Sequence, residues 1–153
     1  MTDWNLPWEG GCRCDRVRIR VSAPPVFTAA CHCTGCQKMS SSAFSLTVAV
    51  PPEGFAVIAG ETVIGGMHGD LQHHFCAWCM SWMFTRADMM PFVNVRPTML
   101  DKPQWFVPFI ETMTSEKLAW ATTPAVQSYE RFPPMEDFAA LVGAFNAWAP
   151  GAA

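Results

Sequence analysis

Residues 71–86 read LQHHFCAWCMSWMFTR. Two β-like runs, LQHHF (71–75) and SWMFTR (81–86), lie either side of CAWC (76–79). A pair of thiols sits where the turn between two strands belongs. C-x-x-C presents two sulfurs to one ion, because a short loop fixes the second donor once the first is bound. A closed tetrahedral site needs two more.

The chain has seven cysteines, at 12, 14, 31, 33, 36, 76 and 79, in the groups CRC, CHCTGC and CAWC. An odd number excludes complete intramolecular disulfide pairing. On a strand, the two cysteines of C-x-C also lie too far apart for disulfide geometry. As metal ligands the spacings make sense. Cys12 and Cys14 with Cys76 and Cys79 form a four-sulfur set, the usual closed structural zinc site, joining residues 62 positions apart. A metal there contributes folding free energy directly.

Cys31, Cys33 and Cys36 remain. Three thiolates leave one metal position unfilled, which is the pattern of a catalytic zinc with an exchangeable site. Thiolates favour zinc over magnesium or calcium, and iron is chemically admissible. Three thiolates around a dication carry a formal −1 and still accept a soft anion such as a substrate thiolate. Two other readings stand beside this one. A histidine can close the trio into a second structural site. His32 points away from both flanking sulfurs if its segment is extended, while His68, His73 and His74 are candidates from elsewhere. Alternatively the trio works without metal, as a redox or metal-sensing group.

The 153 residues suit a single domain over 1–153, with half of them apolar and 15% charged. A net charge of −3 offers no general reason for nucleic acid or an anionic membrane as partner. Arginines 13, 16, 18 and 20 form a local basic run whose plain reading is a solvated strand face. No run of about 18 apolar residues suggests a membrane span. The stretch MTDWNLPWEGG lacks the features of a signal peptide. The expectation is a cytoplasmic protein, where thiols stay reduced and dense cysteine points to metal or catalysis.

Period-two alternation dominates. VRIRV (17–21), VFTAACHC (26–33), AFSLTVAV (43–50), FAVIAG (55–60), ETVIGG (61–66) and FVNV (92–95) add further strands. A helical turn is expected after Cys36, through QKMSSSA (37–43). The convincing helix spans 135–148, with Phe138, Leu141, Val142, Phe145 and Trp148 on one face, Glu136 and Asp137 in its first turn, and Pro150-Gly151 closing it. The fold class is mainly β, with packed antiparallel sheets and a C-terminal helix. Trp78, Trp82, Met80, Met83, Met89 and Met90 are candidates to line an apolar pocket, though such residues more often fill a core.

GGCRCDRVRIR (10–20), CHCTGCQKMSSSAF (31–44) and FCAWCMSWMF (75–84) together resemble the glutathione-dependent formaldehyde-activating enzyme family. That family's motifs are G-G-C-x-C-G, then C-H-C-x-x-C-R-K with a following Gly-Ser pair, then F-C-x-x-C-G. The resemblance runs over about 9–96 and more loosely to about 133, and all seven cysteines match in order and spacing. It implies a structural zinc on the outer two pairs and a catalytic zinc on the middle three. It also implies layered antiparallel sheets like those of methionine-R-sulfoxide reductases. The implied activity is a carbon–sulfur lyase acting on a thiol–aldehyde adduct such as S-hydroxymethylglutathione, with His32 and Lys38 the nearest proton carriers in sequence. A non-catalytic zinc-stabilised binding module on the same fold is the alternative. Departures from the motif are Asp15 and Met80 in place of glycine, Gln37 in place of arginine, and Ser41-Ser42 in place of Gly-Ser. Glycine after a metal knuckle often serves a positive φ, which Asp tolerates and Met resists, so the second turn is expected to take another shape.

Overall fold

Alternating sequence becomes alternating burial in the strand Ser45–Val50 (β4): Val48 and Val50 face one core and Ala49 faces another. That strand is central to the computed structural model, which describes residues 3–148. The other strands are Trp8–Gly11 (β1), Arg18–Val21 (β2), Phe27–Cys31 (β3), Phe55–Ala59 (β5), Thr62–His68 (β6), Leu71–Cys76 (β7), Trp82–Arg86 (β8), Val93–Val95 (β9), Ile110–Thr112 (β10) and Gln127–Ser128 (β11). β1, β2 and β5 form a small antiparallel sheet. The other eight form a larger sheet in the order β11-β10-β3-β4-β9-β8-β7-β6.

Three layers result. Between the sheets, Val17, Ile19 and Val21 meet Val48, Val50, Phe84 and Val95, and Cys12 and Cys76 close one edge of this core. On the far face of the large sheet, Phe27, Ala29, Phe109 and Ile110 pack against the helix Phe138–Trp148 (α2) through Leu141 and Phe145. Phe145 is fully buried, and truncating such a side chain to alanine costs about 3–5 kcal/mol. Gly10 brings the small sheet onto residues 99–100, where a Cβ would strike the Met99 carbonyl, and it forms a bridge with Leu100.

Most sequence expectations carry over with shifted ends. The C-terminal helix opens as a 3₁₀ turn, Met135–Asp137, before α2. Ala144 takes the packing position expected of Val142. Pro150-Gly151 lies outside the described residues. The helix near Cys36 begins earlier than expected, at Thr34, and runs Thr34–Ser40 (α1). The sheet is also mixed: β10 pairs parallel with both β3 and β11. Strands of three and two residues in a proline-punctuated region have no periodicity to read.

Of the arginine run, only Arg18 and Arg20 lie on the strand, and both are neutralised. Arg18 bridges Asp101 and Asp15, Arg20 pairs with Glu9, and Arg16 lies over the exposed Trp78 ring. Such surface pairs contribute about 0–1 kcal/mol each. Among the described residues no helix is long and apolar enough to cross a membrane.

Candidate metal centres

The two outer cysteine pairs occupy two hairpin turns. β1 ends at Gly11 and the chain turns through 12–17 into β2; β7 ends at Cys76 and turns through 77–81 into β8. The turns meet. Cys12 Sγ lies 3.5 Å from Cys14 Sγ, and Cys14 Sγ lies 3.8 Å from Cys76 Sγ. All four sulfurs fall within 4.8 Å of one another. Four sulfurs at zinc–sulfur distance around a tetrahedral ion are about 3.8 Å apart. The donor set therefore fits a zinc-sized soft ion without rearrangement of the turns.

Backbone N–H groups already point at these sulfurs. Val17 N–H donates to Cys12 Sγ (3.3 Å), and the Trp78 and Cys79 N–H groups donate to Cys76 Sγ (3.4 Å each). The Ser81 hydroxyl sits 3.2 Å from Cys79 Sγ and accepts from Arg13 N–H, tying one turn to the other. Burial opposes ionisation of Cys79, but hydrogen bonds from Ser81 outweigh it and bring the thiol down to about 5. The thiolate is the form that binds metal.

Both turns carry a residue in the left-handed region, Asp15 (φ 63°) and Met80 (φ 59°). The expected change of shape at Met80 does not occur. Methionine takes the glycine conformation, at a strain of about 1–2 kcal/mol, and its side chain goes to solvent. Ser41 does the same as C-cap of α1, with φ 51°.

The middle group is one continuous loop. Cys31 ends β3, Cys33 caps α1, and Cys36 lies in its first turn. Cys33 Sγ accepts the Cys36 N–H at 3.2 Å, so a sulfur does the work of an N-cap oxygen. That substitution explains why the sequence pattern placed the helix too late. The three sulfurs lie within 4.8 Å of one another and all three residues are half-buried. A hydrogen bond from Cys36 brings Cys31 down to about 5 against its burial, with help from Thr112. Cys36 is pushed upward by the same contact and by burial. Among the described residues no histidine or carboxylate joins either group.

The other expected site residues are placed as follows. His32 is fully buried between its two cysteine neighbours, and its Nε2 meets Glu111 Oε2 at 2.8 Å. Glu111 also accepts from Ser128 and Thr123. Lys38 is exposed in the last turn of α1, two residues past Cys36 and so on another face. His73 is buried and bonds Thr85; His74 stacks on Phe84. The side chain of His68 lies outside the described residues. Of the tryptophans and methionines, Trp82 and Met83 are buried, while Trp78, Met80 and Met89 are exposed.

Two features escaped sequence reasoning. Residues 111–116 frame the trio: the Thr34 N–H and hydroxyl donate to Glu116 Oε1, and Gln37 Nε2 donates to the His32 and Glu116 carbonyls. Nothing in the local sequence couples these residues to a loop some 80 positions earlier. The second is Arg96, near the trio, whose burial lowers its pKa to about 10 against the opposing pull of Cys36 and Cys31. It lines a cavity of about 330 Å³ together with Ser40, Ser45 and Trp82. Ser45 is the strand partner of Cys31, and Ser40 donates to the Cys36 carbonyl. Through these two serines the cavity borders the segment that carries Cys31 and Cys36.

Two hairpin knuckles on layered sheets, together with a second thiol trio, define a β protein with two cysteine clusters of metal-ligating geometry. The family model described as glutathione-dependent formaldehyde-activating enzyme matches residues 7–116, and the chain belongs to that family. A crystal structure of a Rhodobacter sphaeroides protein is similar in fold, with a TM-score of 0.52 at 18% identity, over 61% of this chain and 87% of that one.

Proposed function

We propose that the protein is a zinc-dependent carbon–sulfur lyase acting on a thiol–aldehyde adduct such as S-hydroxymethylglutathione. The observation that carries this reading is the convergence of Cys31, Cys33 and Cys36 with no fourth protein donor among the described residues, beside a cavity. Three sulfurs and an open position are what a metal needs in order to accept a substrate.

In the adduct-forming direction the thiol loses its proton, its sulfur attacks the aldehyde carbon, and the carbonyl electron pair moves to oxygen, which takes up a proton. The reverse breaks the carbon–sulfur bond and returns thiol and aldehyde. Zinc bound by the trio would hold a thiolate at neutral pH and act as a Lewis acid towards the aldehyde oxygen. The chain's own residues do the rest. Cys31, already inclined to ionise, provides the first anionic ligand. His32 acts by position: its bond to Glu111 anchors the middle of the C-H-C segment, so that both flanking sulfurs keep their direction. Gln37 clamps the start of α1 to the 111–116 segment and keeps Cys36 in the set. Lys38, exposed and without a partner among the described residues, is the mobile cation nearest in sequence and remains the candidate for proton exchange with solvent.

The test is an NMR exchange assay with formaldehyde and several thiols. The expected result is adduct interconversion faster than the uncatalysed rate, lost in Cys31→Ser. No acceleration with any thiol, in protein holding two zinc ions, contradicts the lyase reading and leaves the binding module. Reversible Cys31–Cys36 oxidation in metal-free protein, with no second zinc taken up, would point to the redox reading.

A further inference from the structure

The cavity beside the trio contains a guanidinium that no carboxylate pairs among the described residues. Arg96 follows β9 and is 7% exposed. Its guanidinium lies 4.2 Å from the centre of the Trp82 ring. Among the described residues its side chain makes one hydrogen bond, from Nη2 to the Asn94 carbonyl at a long 3.4 Å, and its buried Nε has none. None of the ion pairs among those residues includes it. A guanidinium has five donors in a planar fork that matches the two oxygens of a carboxylate. With its Nε buried and unpartnered and one long bond at Nη2, it is a costly feature unless an anion completes it.

We propose that Arg96 is the anion-recognition residue of this cavity, and that the thiol substrate carries a carboxylate a few atoms from its sulfur. The inference rests on the lyase reading for its thiol and narrows that thiol to a class. Ser45 and Ser40 border both the cavity and the trio. A ligand whose sulfur lies at the trio therefore has Arg96 within reach of its other end. The walls supply the remaining polarity: the Ser42 and Thr98 hydroxyls line the same space. About 330 Å³ is at the small end for ligand sites. That suits a mercapto acid, or a thiol peptide whose terminal carboxylate lies close to its cysteine. The Trp82 ring already holds the guanidinium from one side, so less ordering is left to do on binding.

The competing role for Arg96 is a plain counterion to the −1 charge of a loaded trio. That role would affect metal retention but would not distinguish a charged ligand from a neutral one. The test uses zinc-loaded wild type, Arg96→Met and Arg96→Lys with two probes, 3-mercaptopropionate and 3-mercaptopropionamide. These match in length and differ in charge. Binding is measured by calorimetry, zinc by elemental analysis, and formaldehyde exchange by NMR. Wild type is expected to favour the acid at least about tenfold, the value of a charge-assisted pair. Arg96→Met is expected to lose that preference with zinc content unchanged, and Arg96→Lys to keep part of it. An acid-to-amide ratio that is the same in wild type and in either variant overturns the proposal. So does loss of zinc in Arg96→Met with both probes weakened equally. If Arg96→Met does not fold, the ratio in Arg96→Lys decides, and no drop overturns the assignment. If the acid is preferred through Arg96 but exchange is not accelerated, Arg96 stands and the lyase reading falls.

Discussion

The two sulfur clusters use the same donors and are built in opposite ways. The outer four come from two hairpin turns separated by 62 residues and sit at the edge of the core between the sheets. The middle three come from one six-residue loop, and their placement relies on the 111–116 segment behind them. An ion in the first cluster would cross-link two sheets otherwise held mainly by apolar packing, with the Arg13–Ser81 hydrogen bond between the turns. An ion in the second staples a loop to itself. Stability is therefore the effect expected of an ion in the first and exchange that of an ion in the second. The lesson is that ligand number says less about a metal's role than the chain distance the ligands span.

Breaking the first cluster should have the largest effect. Cys76→Ser removes a fully buried donor and the cross-link, and structural zinc in small domains is worth roughly 10 kcal/mol or more. The expected outcome is a chain lacking one zinc and failing to fold cooperatively, measured by elemental analysis and thermal unfolding. A native melting curve would show that the sheets hold together unaided. Cys31→Ser sharpens the contrast. It should lose the other zinc and all exchange activity while its Tm shifts by only a few degrees, as expected for a change of about 1 kcal/mol.

The anchor behind the trio comes next. Glu111→Ala leaves His32, Ser128 and Thr123 facing an empty place, and losing hydrogen bonds to a buried charged group costs about 1.5–3 kcal/mol. Its pH dependence has a definite sign. Burial works against the Glu111 charge, but hydrogen bonds from Ser128, His32 and Thr123 outweigh it and hold the carboxyl below its ordinary 4.5. A depressed folded-state value means stability that is present above that pH and lost as pH falls through the lower value. Acid unfolding of wild type should show this loss, and Glu111→Ala should show less of it. The smallest effect is at Met80. Met80→Gly relieves a left-handed conformation in the second knuckle and should raise stability by about 1 kcal/mol, read from urea denaturation. A decrease would mean that the Met80 backbone carries no strain.

Much of this contrast was legible in the residues, because cysteine spacing is a local statement. C-x-C and C-x-x-C declare their chelate geometry within four positions, and alternation around them declares the strands. What sequence could not declare were contacts between distant segments with no shared pattern. His32 to Glu111 spans 79 residues. Arg96 reads as an ordinary basic residue after a short strand until folding strips its solvent. β10 and β11 are too short to show a period, and they exist because β3 offers β10 a parallel edge and β10 offers one to β11. Cys33 as a helix cap was hidden by its more obvious role as a metal ligand.

The central claim is that seven sulfurs serve two ions, one sealed and one open. Cadmium-113 NMR of the cadmium-substituted protein tests it directly. The account predicts two resonances, of which only one moves when glutathione is added, and that same one is missing in Cys31→Ser. A single resonance, or two that both ignore every thiol tried, would contradict it.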